Sequence, residues 1–152
     1  MRHVPLGPTD TISEIMLGTM TFGTQTSEAG AHAQMDLATD RDVTWLDTAE
    51  MYPVNPVRAD TVGLTEEIIG RWVAKGNRAR LKIATKHSGE GAHARGGAPI
   101  SAATIPDAVE GSLARLRTDT IDLYQFHWPN RGSYMFRQNW GYDPSGQNYA
   151  DT

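Results

Sequence analysis

The order of the predicted secondary-structure elements is the feature that most constrains how this chain can fold. Four short apolar segments with the composition of β-strands alternate with three segments in which apolar residues recur at helical spacing. A strand–helix–strand repeat of this kind forms a parallel sheet through right-handed crossovers. We predict strands at 12–18, 43–47, 81–86 and 121–128, helices at 27–40, 65–76 and 104–118, and helix N-caps at Ser27, Thr65 and Thr104.

A polar side chain follows the apolar residues of each of the last three predicted strands. Asp47, Lys86 and His127 lie about forty residues apart, and Tyr52 follows Asp47 in the stretch "LDTAEMY". Parallel strands bring their carboxyl ends to one edge of a sheet, so we expect these side chains to lie close together. Each alone has an ordinary explanation: a capping aspartate, a solvated lysine, a packed tyrosine or a core histidine. Their combination at one edge indicates a site.

Asp, Lys, His and Tyr side chains in one place are the components of a proton-donating site. A free phenol has a pKa near 10, and lowering that pKa by roughly three units requires about 4 kcal/mol. One ammonium at about 4 Å, in an effective dielectric constant of roughly 20, contributes that much. We therefore predict that Lys86 lowers the pKa of Tyr52 and that Asp47 keeps Lys86 charged. His127 would orient a carbonyl oxygen or share the proton.

Composition and residue spacing exclude several classes of function. Fourteen Lys and Arg against 18 Asp and Glu give a net charge of −4 without a basic cluster, which argues against binding to nucleic acid or an anionic membrane. The absence of cysteine excludes disulfides and thiolate chemistry, and the five histidines lack the paired spacing of a metal site. No apolar run has membrane-spanning length. We expect a cytoplasmic protein that binds no metal.

Several stretches together resemble the aldo-keto reductase superfamily. They are "PLGPTDTISEI" and "LGTMTFG" near the start, then "LDTAEMY", "IATK" and "SLARLRTDTIDLYQFHWP", in the order and at the spacing of that family. The stretches "DTAEMYPVNP", "GLTEEIIGRWV" and "HWPNRGSYMFRQNWGY" are most similar to its Tas-like bacterial branch. The resemblance implies a (β/α)8 barrel that uses NADP(H) to interconvert a small-molecule aldehyde or ketone and the corresponding alcohol.

The resemblance also implies roles for particular residues. It makes Tyr52 the general acid within a catalytic set of Asp47, Tyr52, Lys86 and His127. It places the nicotinamide and ribose of the cofactor against Thr19, Met20, Gln25 and Asp47, and the substrate against Trp128.

Length sets a limit on how much of such a barrel this chain can form. A (β/α)8 barrel typically needs about 250 residues, and this chain has 152. We therefore predict that residues 1–152 form the N-terminal half of the barrel, an α/β unit of four parallel strands, three outer helices and the loop that follows, with the C-terminal half absent. We expect such a half-barrel to bind NADPH weakly, to turn over negligibly alone, and to self-associate through its exposed sheet edges.

Two alternatives remain at the level of sequence. One is a non-catalytic, redox-sensing or regulatory binding module of the same fold, as in the β subunits of voltage-gated potassium channels. The other is a barrel enzyme of different chemistry, such as a metal-dependent hydrolase, which the histidine spacing disfavours. The presence of Tyr52, Lys86 and His127 favours catalysis, because a scaffold has no need for a tuned phenol.

Overall fold

The computed structural model describes residues 1–130, so the loop predicted after Pro129 lies almost entirely outside the described residues. Four strands form one parallel sheet, in which strands that are consecutive in the chain are neighbours, and two more form an antiparallel hairpin. The elements in chain order are β1 His3–Leu6, β2 Asp10–Ser13, β3 Leu17–Gly18, α1 Glu28–Asp40, β4 Trp45–Asp47, α2 Leu64–Trp72, β5 Lys82–His87, α3 Thr104–Leu116 and β6 Leu123–Phe126. The predicted alternation of parallel strands and helices is confirmed.

The first predicted strand, 12–18, is wrong as a single element. Its beginning belongs to β2, which pairs with β1 in a hairpin, and only Leu17–Gly18 joins the parallel sheet as β3. The hairpin contacts the first residues of β4 and β5: the Trp45 indole donates to the Thr11 carbonyl at 3.0 Å, and Lys82 pairs with Asp10. The hairpin therefore closes the amino-terminal end of the sheet, opposite the predicted site.

The three helices form where they were predicted, but only one of the three predicted N-caps is confirmed. Ser27 caps α1 by accepting a hydrogen bond from an amide of its first turn. The hydroxyl of Thr65 instead donates to the Phe22 carbonyl at 2.7 Å, which fastens α2 to the loop after β3. At α3 the N-cap position is occupied by Ala103, and the amide of Thr104 donates to the Ser101 hydroxyl at 3.2 Å. No helix within residues 1–130 is long and apolar enough to cross a membrane.

The alternation of side chains along the strands separates the core from the predicted site. Leu46 of β4 and Ile83 of β5 point towards the helices, where they are fully buried against Ile69 and Trp72 of α2. Asp47 is the next residue along β4 and therefore points to the opposite face. The same alternation puts Lys86 on that face, so the packing that buries the aliphatic residues also aligns the polar ones.

The sheet has two edges within the described residues. β3 and β6 each pair on one side only in this part of the chain, and the ring of Phe126 in β6 is 53% exposed. Unpaired backbone groups beside an exposed apolar side chain favour association with another strand. Self-association of the 152-residue chain stays a prediction, to be checked by sedimentation or light scattering.

Candidate active site

An ion pair between neighbouring strands lies at the centre of the predicted site. The Lys86 ammonium donates to both carboxylate oxygens of Asp47, at 2.8 and 2.7 Å, and to the backbone carbonyl of Thr48 at 2.7 Å. The side chain of Lys86 is 13% exposed and that of Asp47 is 32% exposed. All three ammonium protons therefore have an acceptor, and the lysine side chain is held in one position.

Three aromatic side chains lie beside this ion pair. The Lys86 nitrogen is 5.3 Å from the centre of the Tyr52 ring. The Tyr52 and His127 rings meet edge to face with their centres 5.6 Å apart, and the rings of His127 and Trp128 are 5.2 Å apart. The structure thus brings together the four predicted catalytic residues and the predicted substrate-contacting tryptophan, although they come from three separate stretches of the chain.

The predicted direction of the Tyr52 pKa shift is wrong. Burial, reinforced by the negative charge of Asp47, raises the pKa of Tyr52 to about 12. The ammonium of Lys86 does not offset this, because its three hydrogen bonds go to Asp47 and Thr48 and none goes to the Tyr52 hydroxyl. In this structure Tyr52 is a phenol that holds its proton firmly.

His127 is neutral at physiological pH for a related reason. Burial, together with the positive charge of Lys86, lowers the pKa of His127 to about 4, against the opposing effect of Asp47. A neutral imidazole has one nitrogen that donates and one that accepts a hydrogen bond, so it can orient a polar group without adding charge.

Tyr52 is held by the backbone of the following helix. Its carbonyl accepts hydrogen bonds from the amides of Gly63 and Thr65, at 3.1 and 3.3 Å, where α2 begins. Its own amide donates to the carbonyl of Ala49 at 3.1 Å. These bonds close the loop after Tyr52 and fix the position of Tyr52 relative to the sheet. The sequence pattern did not predict them.

The predicted cofactor-contacting residues differ in how accessible they are. Met20 is 42% exposed and Gln25 is also exposed, with its amide 3.5 Å from the Asn55 carbonyl. Thr19 is fully buried, and its hydroxyl donates to the backbone carbonyl of Asp47 at 2.9 Å. Met20, Gln25 and the partly exposed carboxylate of Asp47 can therefore be reached by a ligand, whereas the side chain of Thr19 fastens β3 to β4.

The connection between β5 and α3 packs against the site. We call residues 88–100 the rim segment. Ala92 and Ala94 of this segment are buried with Tyr52 and Trp128. The Trp128 indole also donates to the Glu90 carbonyl at 3.3 Å. The rim segment is therefore one wall of the site.

The Asp47–Lys86 pair provides a prediction for stability. We expect Asp47→Asn to lower the free energy of unfolding by about 2 kcal/mol, because a largely buried ammonium loses its counter-charge. Asp40→Asn is the matched control: Asp40 pairs with Arg80 at 2.6 Å but is 66% exposed, so its loss should cost less than about 1 kcal/mol. Denaturant unfolding measures both free energies. Equal losses for the two variants would contradict the prediction that the largely buried Asp47–Lys86 pair stabilises the fold more than an exposed pair does.

The pKa of Tyr52 provides a second prediction. Because its pKa in the folded protein is raised to about 12, the difference in ultraviolet phenolate absorbance between wild type and Tyr52→Phe should show no transition up to pH ~10. The stability that the buried, protonated phenol contributes is present below pH ~10 and is lost as the pH rises towards 12, by up to about 3 kcal/mol. A Tyr52-dependent transition below pH ~9 would instead support the direction predicted from sequence.

No group of three or more His, Asp or Glu side chains within residues 1–130 is arranged to hold a metal ion.

Comparison with known proteins identifies the family. A profile of the aldo/keto reductase family matches residues 14–141. Protein tas of Escherichia coli is 48% identical over 130 residues, which cover 82% of this chain and 37% of that protein. The uncharacterised oxidoreductase YrpG of Bacillus subtilis is 39% identical over 140 residues, 86% of this chain and 41% of that protein.

A solved structure agrees with these relatives. A thermostable aldo-keto reductase, crystallised with the inhibitor epalrestat, is 28% identical and superimposes with a TM-score of 0.68 over 88% of this chain and 45% of its own. The chain spans less than half the length of each of these proteins. The match confirms the predicted fold class, an α/β unit that corresponds to part of a (β/α)8 barrel. The chain belongs to the aldo-keto reductase family.

Proposed function

We propose that this chain supplies the proton-transfer site of an NADP(H)-dependent reductase of aldehydes and ketones. The observation that supports the proposal most is the placement of Tyr52 and His127 beside the Asp47–Lys86 ion pair. In the reaction, a carbonyl carbon gains a hydride and its oxygen gains a proton, so a carbonyl compound, NADPH and a proton give an alcohol and NADP⁺.

The high pKa of Tyr52 is compatible with its role as the acid. A pKa of about 12 keeps the phenol fully protonated at neutral pH, so the donor form is always present. Once the carbonyl oxygen becomes an alkoxide, its basicity approaches that of hydroxide, whose conjugate acid has a pKa of about 16. Proton transfer from Tyr52 to that oxygen is then downhill without any lowering of the phenol pKa.

Lys86 and His127 act on the charge and on the geometry of this transfer. When Tyr52 gives up its proton, the resulting phenolate lies near the Lys86 ammonium, which is 5.3 Å from the ring centre and favours the negative charge. His127 is neutral, so its ring can hydrogen-bond the carbonyl oxygen and hold it near Tyr52. Trp128, buried beside His127, offers an apolar surface for the rest of the substrate.

The accessible residues fit the reactive end of a nicotinamide cofactor. Met20 presents an exposed apolar surface, while the Gln25 amide and Asp47 carboxylate offer a donor and an acceptor at the same edge of the sheet. When bound, the reduced nicotinamide supplies the hydride. We propose Met20, Gln25 and Asp47 as the contacts, with Thr19 holding Asp47 in place through its hydroxyl.

The experiment uses the full-length product of the gene, because we expect residues 1–152 on their own to bind NADPH weakly and to turn over negligibly. Purified protein is incubated with NADPH and an aromatic aldehyde, and both the loss of NADPH absorbance and the alcohol formed are measured. We expect one alcohol for each NADPH consumed, and slower consumption when NADH replaces NADPH. A folded protein that consumes no NADPH with a panel of aldehydes and ketones would overturn the proposal.

A further inference from the structure

Glu50 has a buried carboxylate that takes no part in the proposed reaction. It lies two residues before Tyr52, and its side chain is 3% exposed. One carboxylate oxygen accepts hydrogen bonds from the amide of Ser88 at 2.6 Å and from the Arg95 guanidinium at 2.8 Å. Its backbone amide donates to the carbonyl of Lys86 at 3.2 Å. Glu50 therefore joins the Tyr52 loop, residues 48–52, to the end of β5 and to the rim segment.

Arg95, the partner of Glu50, has an unfavourable backbone conformation. Its φ of 50° is in the left-handed region, and Gly96 and Gly97 follow with φ of 66° and 82°. A non-glycine residue in that region costs about 1 kcal/mol or more, so something must stabilise it. The second guanidinium nitrogen of Arg95 donates to the carbonyl of Ser88 at 3.0 Å. The contacts of Arg95 with Glu50 and Ser88 provide that stabilisation and fold the rim segment back on itself.

The folded rim segment is in contact with the proposed acid. Ala92 and Ala94 are 5% and 3% exposed and pack in one cluster with Met51, Tyr52 and Trp128. Released from Glu50, the segment would take these two alanines away from the Tyr52 and Trp128 rings. Loss of the Glu50–Arg95 ion pair would therefore move this wall of the site.

From this arrangement we propose that Glu50 and Arg95 are positioning residues, whose buried ion pair fastens the rim segment to the Tyr52 loop and thereby holds Tyr52 and Trp128 in place for catalysis. The catalytic part of this inference rests on the proposed function, whereas the fastening does not. The chain offers a comparison in Glu66, which is fully buried and pairs with Arg115 at 2.7 Å between α2 and α3, without an ion pair to the rim segment among residues 1–130.

Trypsin tests the fastening without reference to activity. Arg95 is the only Lys or Arg between Lys86 and Arg115, and its side chain is 18% exposed. We expect Glu50→Gln to raise the rate of cleavage after Arg95 at least about tenfold relative to cleavage after Arg58, whose side chain is 58% exposed. Glu66→Gln should leave this ratio unchanged. Mass spectrometry of the fragments over time measures both sites in one digest.

Steady-state kinetics test the positioning. We expect Glu50→Gln to lower kcat for aldehyde reduction about tenfold or more with little change in the Kd for NADPH, because Tyr52 is misplaced while the cofactor contacts remain. Arg95→Gln should behave similarly, and Arg95→Lys, which keeps the charge, should recover most of the rate. The Arg95 variants also keep the test decisive if Glu50→Gln does not fold.

The outcomes separate the two proposals. An equal rise in the cleavage ratio for Glu50→Gln and Glu66→Gln would overturn the fastening. A rise confined to Glu50→Gln, with kcat unchanged, would overturn the positioning. If the wild-type protein reduces no carbonyl compound, yet the cleavage ratio rises for Glu50→Gln alone, the proposed function and the positioning role would be overturned. The fastening of the rim segment would still be supported.

Discussion

Replacing Tyr52 with phenylalanine is expected to lower kcat for carbonyl reduction by about 10²- to 10⁴-fold, the usual contribution of a positioned general acid. The ring would remain beside the Lys86 Nζ atom, 5.3 Å from its centre, and beside the His127 ring, whose centre is 5.6 Å away. Packing is therefore preserved and only the proton donor is lost. The Kd for NADPH should change little, because none of the proposed cofactor contacts involves the hydroxyl. Initial rates of NADPH oxidation and fluorescence titration of NADPH measure the two quantities.

Tyr124→Phe is the matched control for this experiment. Tyr124 lies in β6, and its hydroxyl is buried with no hydrogen-bond partner among residues 1–130. Burial raises the pKa of this phenol too, so the two tyrosines share one chemical character. Losing the Tyr124 hydroxyl should leave kcat unchanged, and stability unchanged or slightly higher, because an unpaired buried polar atom is removed. Equal rates for wild type and Tyr52→Phe would exclude Tyr52 as the acid and favour a regulatory role for the fold.

The convergence of the site residues could be predicted from sequence because it depends on topology alone. Any parallel sheet brings the carboxyl ends of its strands to one edge, so Asp47, Lys86 and His127 must approach one another. The hairpin was missed because its sequence signal is weak. Its strands are four residues each, and the turn that joins them at Gly7, with φ of 66°, gives a weaker signal than the long periodic helices.

The properties that depend on individual hydrogen bonds could not be predicted. Burial and the charge of Asp47 raise the pKa of Tyr52, while all three hydrogen bonds of the Lys86 ammonium go to other acceptors. Residue spacing contains none of this information. The Glu50–Arg95 pair joins residues 45 positions apart through a loop in left-handed conformation. A glutamate in "DTAEMY" is as easily interpreted as a solvated loop residue, because only the folded chain shows it to be buried.

Gly70→Ala is expected to destabilise the fold strongly, although replacing glycine with alanine usually stabilises a helix. Gly70 lies inside α2, where alanine is intrinsically favoured by about 1 kcal/mol. A Cβ built at this position would lie 2.0 Å from the Arg115 carbonyl oxygen and 2.9 Å from the Leu116 carbonyl carbon, both backbone atoms of α3. The helices would have to separate, which would also disturb the buried Glu66–Arg115 pair at 2.7 Å. We expect a net loss of about 3 kcal/mol in the free energy of unfolding.

Gly111→Ala separates the packing effect from helix propensity. Gly111 lies inside α3, and the atom nearest to its built Cβ is a terminal guanidinium nitrogen of Arg115 at 3.0 Å, which can move aside. That variant should remain within about 1 kcal/mol of the wild type. Denaturant unfolding of both variants then compares two helical glycines, one facing the backbone of the neighbouring helix and one facing a flexible side chain of its own helix. A Gly70→Ala protein as stable as Gly111→Ala would mean that α2 and α3 are farther apart than described. Since α2 begins at the amides that hold the Tyr52 carbonyl, such a gap would also alter the support of the proposed acid.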